Sequence, residues 1–470
     1  MSDEFDVIVV GAGPAGENAA ARVVRGGLSA AVVEEELAGG ECAYWACVPS
    51  KALLRPMELA AEVGRLPGLH LGETDVGAIL RRRDAMTANL DDSGQVSWIT
   101  DLPAVFLRGR GRLAGPRRVE VTAADGSVRT LRARHAVVLA VGSRPVIPPI
   151  PGLAEAKPWS SREATSVRVV PRRLAVLGGG VVACEMAQAL HGLGARETTV
   201  IVRGGALLER MEPFAGELLD ASFAEHGIDV RYRTEITRVD RRKPDGQVTL
   251  HLSEGPPLVA DQLLVATGRR PATEDVGLAT AGLPERRAVE VDDSMRALGV
   301  DEGWLYAVGD VNGRSLLTHM GKYQARICGD VIVARSRGEW DDLPSMRDSA
   351  DAAGPPQVVF TDPQVCSVGR TEAAARREGL PIRTVDYDMG RVAGASLLGD
   401  GYTGRARAVV DVERQILVGV TFVGPGAAEL LHAATIAVTA RVPLSELWHA
   451  VPSFPTVSEV WLRLLETYGL

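Results

Sequence analysis

Short runs of consecutive apolar residues recur along the chain, and several close on a cluster of glycines followed by residues of helical spacing. Asp6 to Val10 is the first. A strand covered on both faces reads as unbroken apolar sequence rather than as alternation, so this run predicts a strand inside a parallel sheet. Gly11, Gly13 and Gly16 follow, then an alanine-rich helical stretch and a second strand, Ala30 to Val33. The same order returns at Leu174 to Leu177, with Gly178-Gly179-Gly180-Val181-Val182-Ala183, a helix from Glu185 to about Leu190, and a strand from Thr199 to Val202. Two more runs, Ala136 to Ala140 and Leu263 to Ala266, end in matching turns at Val141-Gly142-Ser143-Arg144-Pro145 and Thr267-Gly268-Arg269-Arg270-Pro271. One nucleotide-fold plan is laid out twice.

After these, Trp304 to Val308 reads as a strand ending in a Gly309-Asp310 turn, with a helix from about Thr318 to Ala334. Residues 335–356 are charged, rich in Pro and Gly and without clear period, which marks a linker. Beyond it, strands at Gln357 to Phe360, Ala406 to Val412 and Ile416 to Val423, with a helix from Ala427 to Thr439, predict an α+β domain. The fold class is therefore α/β, with two Rossmann-like nucleotide-binding domains and a C-terminal α+β domain.

Composition narrows the function. A chain of 470 residues, 46% hydrophobic and 24% charged, suits roughly three globular domains rather than a disordered or fibrous chain. Glycine, at 51 residues, exceeds its usual share of about 7%, so tight backbone is needed at several places. The net charge of −8 and the scattered arginines leave no footprint for nucleic acid or an anionic membrane, which favours a small-molecule partner. The acidic start Asp3, Glu4, Asp6 is unlike a secretory signal, and no apolar run nears the roughly 20 residues of a membrane span. A cytoplasmic protein is expected. Five cysteines, an odd number, do not make a secreted disulfide framework, so any disulfide here is expected to be catalytic.

A glycine turn between strand and helix lets backbone N–H groups approach a pyrophosphate at the positive helix end, a task that fits Gly11, Gly13 and Gly16. Glu34 ends the following strand about 20 residues on, where an acidic side chain accepts from a ribose hydroxyl. In the second turn, Gly178 and Gly180 repeat the pattern, but the counterpart of Glu34 is Arg203. Arginine there pairs with a 2′-phosphate, which favours NADPH over NADH, although a solvated surface arginine is the plain alternative.

Between the two turns lies Gly39-Gly40-Glu41-Cys42-Ala43-Tyr44-Trp45-Ala46-Cys47-Val48-Pro49-Ser50-Lys51. Five positions of regular helix rise about 7.5 Å, beyond disulfide reach, so a Cys42–Cys47 bond requires a broken turn or a helix start. Cys47, two residues before Pro49, suits such a start, where the helix dipole and Lys51 favour thiolate. Two unrelated buried thiols would serve the same spacing; zinc is disfavoured for want of a second ligand pair, and no metal is expected. Cys184, Cys328 and Cys366 sit in apolar runs and read as core.

With these motifs in this order, the sequence resembles the class I pyridine nucleotide-disulfide oxidoreductases, the family of dihydrolipoamide dehydrogenase, glutathione reductase and mercuric reductase, along essentially its whole length. The resemblance implies FAD in the first site, NAD(P)H in the second and a homodimer through the last domain. It divides the chain into an FAD-binding domain at 1–150 and 273–345, an NAD(P)-binding domain at 151–272 and a dimerisation domain at 346–470. It assigns Cys47 to face the flavin, Cys42 to exchange with the acceptor, Lys51 and Glu185 to an ion pair beside the flavin, Gly142 and Asp310 to FAD, and Gly268 to NAD(P). The implied function is an FAD-dependent oxidoreductase passing electrons from NAD(P)H through FAD to a Cys42–Cys47 disulfide and on to a small-molecule acceptor.

One segment departs from the family. Its disulfide reductases carry His-Pro-Thr with a Glu five positions after the His, whereas this chain has Phe454-Pro455-Thr456 and keeps Glu459. The family's His protonates a leaving thiolate in the partner subunit, a service commonly worth about 10²- to 10⁴-fold. An alternative acceptor class follows: a quinone, dye or metal ion that needs no such acid. A non-catalytic redox-sensing flavoprotein is the third reading. His449 is the only histidine near the break, and a structural role is expected of it. Tyr44 and Trp45 replace the family's small residues between the cysteines and either narrow the acceptor's approach or simply pack.

Overall fold

The computed structural model describes residues 3–243, 246–339 and 343–470. The chain divides into two compact units, Met1–Val48 with Asp84–Pro145 and Arg269–Ala352, and Pro49–Arg83 with Val146–Gly268 and Ala353–Leu470. Residues 49–83 thus pack with the second unit.

In the first unit, the apolar runs become the centre of a seven-stranded sheet ordered Val105–Arg108, Ala30–Glu34, Glu4–Val10, Val128–Leu139, Arg118–Thr122, Arg110–Leu113, with Leu305–Ala307 also on Val128–Leu139. The pairs Glu4–Val10 with Ala30–Glu34 and with the end of Val128–Leu139 are parallel, with Val9 opposite Val32 on one side and Val138 on the other. Val7, Ile8, Val9, Val32, Val137 and Val138 are all inaccessible, as a sheet covered on both faces requires. The start of Val128–Leu139 instead pairs antiparallel with Arg118–Thr122, so one long strand serves both halves of the sheet. Helices Pro14–Arg25 and Thr318–Ser336 pack on it; the first opens with Pro at its start, where a missing N–H costs nothing.

The second unit holds a parallel sheet ordered Ile228–Arg231, Glu197–Ile201, Arg173–Leu177, Gln262–Val265. The helix expected from Glu185 begins earlier, spanning Val181–Gly192 directly after Gly180. A three-stranded antiparallel ribbon, Ile236–Arg241, Val248–Leu252 and Leu258–Ala260, accompanies it. The C-terminal region forms a five-stranded antiparallel sheet ordered Gln357–Val359, Gln364–Gly369, Ile416–Gly424, Arg405–Asp411, Ile382–Asp388, backed by helices Leu431–Thr439 and Val460–Tyr468. Of the expected linker at 335–356, residues 340–342 lie outside the described residues, while Pro344–Met346 and Ala350–Ala353 are short helices. Cys184, Cys328 and Cys366 are fully buried, and burial raises each thiol's pKa. Among the described residues no helix is long and apolar enough to cross a membrane.

Candidate functional site

The first glycine turn is built by close approach. Gly11 has φ +101°, and a Cβ there would stand 2.4 Å from the Ala140 carbonyl oxygen; one on Gly16 would stand 1.9 Å from that of Gly11. Gly13 is different, because its Cβ would meet nothing nearer than the Gly40 Cα at 4.0 Å. The turn is thus tight behind and open in front, at the N-terminus of Pro14–Arg25, the room a pyrophosphate needs. Glu34 accepts from Ala12 N–H at 2.7 Å and from Glu36 N–H at 2.8 Å, so its carboxyl is held against this turn. Burial raises its pKa against the lowering effect of those bonds. Gly142 has φ +72°, and beside it Ser143 Oγ donates to Asp310 while Arg269 Nε donates to Ser143 Oγ at 2.7 Å. Burial pushes the Asp310 carboxyl upward; Ser143 and the Arg269 charge oppose it.

Cys42 lies in a five-residue helix, Gly40–Tyr44, that breaks at Trp45, and Cys47 begins the next helix, Cys47–Gly64. The break is what brings two thiols five positions apart within contact. No disulfide joins them, and a side-chain hydrogen bond links the two sulfurs. That bond, with burial, holds the Cys42 proton firmly and raises its pKa, while Thr318 and the Lys322 charge act the other way. Thr318 Oγ1 lies 3.3 Å from Cys47 Sγ at the first residue of Thr318–Ser336. Tyr44 is buried and packs on Trp45, with ring centroids 5.8 Å apart.

In the second unit, Gly178 (φ +128°) repeats Gly11, with a Cβ falling 2.4 Å from the Ala266 carbonyl oxygen, and Gly180 repeats Gly13, with nothing within 4 Å. Ala183 is fully buried at the third small position. Gly268 has φ +127° and open space in front of it. Arg203 is exposed at the end of the strand. A second cation that sequence reasoning missed reaches the loop after it from beyond the strand Ile228–Arg231: Arg233 N–H donates to the Gly204 carbonyl at 2.9 Å, with its guanidinium about 4 Å from a Cβ at Gly205. The same loop holds Glu209, whose carboxylate accepts from Gly205 N–H at 2.9 Å.

Lys51, one turn past Cys47 along its helix, donates to Glu185 Oε2 at 2.7 Å. Glu185 is 3% exposed, and its other oxygen accepts from Phe360 N–H at 2.9 Å, so the buried carboxylate is fully partnered. The Lys51 ammonium also stands 4.9 Å from the Phe360 ring centroid. In the C-terminal segment Phe454 is 76% exposed and His449 exposed, whereas Glu459 is buried, with Oε1 accepting from Arg463 at 2.6 Å and Oε2 buried without a hydrogen bond.

Of the expected residues, the structure gathers Gly11, Gly13, Gly16 and Glu34 at one turn, Gly142 with Asp310, Cys42 with Cys47, and Lys51 with Glu185. It adds Thr318, Lys322 and Arg233 from distant sequence, and Ser143 and Arg269 from beside the expected Gly142 and Gly268. Thr318 was visible only as a helix start.

Two family models match. The pyridine nucleotide-disulphide oxidoreductase model covers residues 5–326, and that family's dimerisation domain covers 355–464. Dihydrolipoyl dehydrogenase of Chlamydia muridarum is 29% identical over 470 residues, spanning 98% of this chain and 96% of that protein. Glutathione reductase of Burkholderia cepacia is 30% identical over 467 residues, spanning 98% of each. Among solved structures, the Cu(II) complex of the HOCl-induced flavoprotein disulfide reductase RclA of Escherichia coli aligns with TM-score 0.85 and 23% identity over 99% of both chains, a likeness of fold.

Proposed function

The chain belongs to the pyridine nucleotide-disulphide oxidoreductase family, and on that premise we propose that Cys42 and Cys47 store the electrons that NAD(P)H delivers and pass them to a small-molecule acceptor. The enzyme is an FAD-dependent NAD(P)H oxidoreductase carrying the family's dimerisation domain. FAD, when bound, supplies two-electron transfer between a hydride donor and a thiol pair. The protein's share is binding and charge control. The open front of Gly13, with Glu34, Gly142 and Asp310, suits FAD; Gly178, Gly180 and Gly268, with Arg203, suit NAD(P)H. We assign 1–150 and 273–345 to FAD, 151–272 to NAD(P) and 346–470 to a homodimer contact.

The observation that carries the reading is the thiol pair at a helix start. The hydrogen bond between the two sulfurs and burial raise the Cys42 thiol, while Cys47, 3.3 Å from Thr318 Oγ1, opens the helix Cys47–Gly64, whose N-terminus favours a thiolate. Lys51 and Glu185 form the pair that fixes the helix below it. Arg203 and Arg233 favour NADPH, with Glu209 setting a limit on that preference. For the acceptor, an exposed Phe454 offers no proton, which supports acceptors that do not expel a basic thiolate. The test is a steady-state assay with NADPH and NADH across glutathione-like disulfides, quinones and metal ions, in wild type and Cys42→Ser. The reading expects acceptor turnover that Cys42→Ser abolishes; turnover untouched by Cys42→Ser would place electron exit at the flavin instead.

A further inference from the structure

The sheet of the first unit carries a second group of charged residues at its other end. Open parallel sheets take a nucleotide at the carboxyl ends of their strands, here where Gly11 meets Ala140 just past Leu139. His135 lies four residues back along Val128–Leu139, about 13 Å toward the opposite edge. There a cavity of about 190 Å³ opens between Arg117, Arg134, His135, Glu302, Tyr306 and Arg335. All six belong to the first unit. The space exceeds what a single water needs and falls below the roughly 300 Å³ at which drug-sized ligand pockets begin. A small ion with its hydration fits it.

The walls are basic in a protein whose net charge is −8. Three guanidinium groups and an imidazole face one carboxylate. Arg117 holds Glu302 through Nη2 at 2.7 Å, but its Nε is buried with no hydrogen-bond partner. A buried charged donor left unpaired is destabilising, and folded proteins fill such a position with an acceptor. Arg335 donates to the Tyr306 hydroxyl, and among the described residues no carboxylate pairs with it. Gly303 leaves room for this guanidinium, since a Cβ there would stand 3.3 Å from Arg335 Nη1. Tyr306 is itself buried and forms a fixed wall. Arg134 and His135 are partly engaged elsewhere: Arg134 donates to Asp6 at 2.9 Å and to Glu4 at 3.2 Å, and His135 Nε2 lies 3.8 Å from Asp6. They add positive field rather than an empty donor. The Glu302 side chain is 68% exposed, so its pairing with Arg117 is weak. Arg117 and Glu302 also share a backbone that side chains rarely adopt, with φ +56° and +58°. Such conformations persist where the surroundings over-determine them, and they cluster at ligand sites.

We propose that this cavity binds a small tetrahedral dianion of the phosphate class, gripped by Arg117 and Arg335 with the Tyr306 hydroxyl beside them. The planar guanidinium fork matches phosphate oxygens. Donors arrive from four places: the turn before Arg118–Thr122, the strands Val128–Leu139 and Leu305–Ala307, and the end of Thr318–Ser336. A tetrahedral ion presents acceptors in as many directions, whereas a carboxylate presents two oxygens in one plane. Free phosphate and a small phosphomonoester share this chemistry. The bound ion ties hairpin, sheet and helix together at the end remote from the glycine turn, so the proposal stands apart from the route of the electrons.

The test is isothermal titration calorimetry on the FAD-loaded enzyme in chloride buffer of fixed ionic strength, with inorganic phosphate, methyl phosphate and malonate as the injected anions. Wild type should bind one phosphate per chain, and malonate more weakly. Arg335→Met and Arg117→Met should each weaken phosphate by at least about tenfold, the worth of one charge-assisted contact, with FAD content unchanged. Arg117→Lys keeps the charge and loses the fork; it should fall between, and it carries the test if Arg117→Met does not fold. Arg203→Glu, at the proposed 2′-phosphate position, should leave the phosphate isotherm intact. Methyl phosphate binding as tightly as phosphate identifies a phosphomonoester as a source, and its exclusion identifies the free ion. The proposal is overturned by the absence of saturable phosphate binding at millimolar concentration, or by equal binding in the Arg117 and Arg335 variants. Loss of binding in Arg203→Glu instead, or tighter binding of malonate than of phosphate, overturns it as well.

Discussion

At the scale of single residues, charge placed in or out of water decides what each group does. Arg203 is exposed at the start of a loop that holds Glu209 and accepts a hydrogen bond from Arg233 N–H. A charge-assisted contact to a 2′-phosphate is worth about 1.5 to 3 kcal/mol, so Arg203→Glu should cost roughly 10- to 100-fold in NADPH-over-NADH preference, measured as the ratio of kcat/KM values. Equal losses with both nucleotides would show that Arg203 does not read the phosphate. Glu17 carries a pH signature of its own. Its carboxyl rises from 4.5 to about 7 on folding, so the folded state binds its proton more tightly than the unfolded chain. Its stabilising contribution is full below pH 4.5 and is lost as pH rises through 7. Glu17→Gln should therefore raise the unfolding temperature at pH 8, by an amount equivalent to at most about 3 kcal/mol, and change it little at pH 5. A variant equally shifted at both pH values would deny that this carboxyl is buried and charged. Cys42, Cys47 and Lys51 were legible in sequence because a single local segment carries them. Glu17, Thr318 and Lys322 were not, since an acidic residue in a first helical turn reads as a dipole partner and Thr318 meets Cys47 only across 271 positions.

At the scale of elements, the repeat of one turn in two sheets is the firmest feature. Gly11 against Ala140 and Gly178 against Ala266 make the same 2.4 Å approach at the same backbone sign, because in each fold the strand end must pass over the next parallel strand. Gly178→Ala should therefore destabilise the second unit by about 1 to 3 kcal/mol through the left-handed backbone alone, and more through the carbonyl clash. Flavin content per chain should hold near wild type while KM for NADPH rises at least tenfold. An unchanged KM would contradict the assignment of this turn to the nicotinamide nucleotide. The parallel strands were readable as apolar runs because both faces are covered. The hairpin Arg110–Leu113 with Arg118–Thr122 was not, since it alternates arginine with small and apolar residues on a half-exposed edge. The early start of Val181–Gly192 escaped notice because valine is a weak helix former, and position after Gly180 outweighed propensity.

At the scale of the whole molecule, function depends on what the C-terminal domain presents. Leu397, Ile436, Val451 and Phe454 are apolar and 66%, 53%, 85% and 76% exposed, an arrangement that suits a dimer contact. The acid that disulfide-reducing relatives deliver across such a contact is absent at Phe454, while Glu459 remains with one buried oxygen unpartnered. Phe454→His should raise disulfide turnover, up to the 10²- to 10⁴-fold that general acids supply, and leave quinone turnover nearly unchanged. No gain, together with fast wild-type disulfide turnover, would mean that another acid serves. The homodimer was readable only through the family resemblance, because a single chain's periodicities carry no record of a partner surface. The account's central claim is that electrons from NAD(P)H come to rest on Cys42 and Cys47, and its most direct test is an anaerobic titration of the yellow holoenzyme with one equivalent of NADPH. The account predicts a long-wavelength thiolate-to-flavin charge-transfer band in wild type and none in Cys47→Ser, whereas bleaching of the flavin without that band in wild type, or the same band in Cys47→Ser, would contradict it.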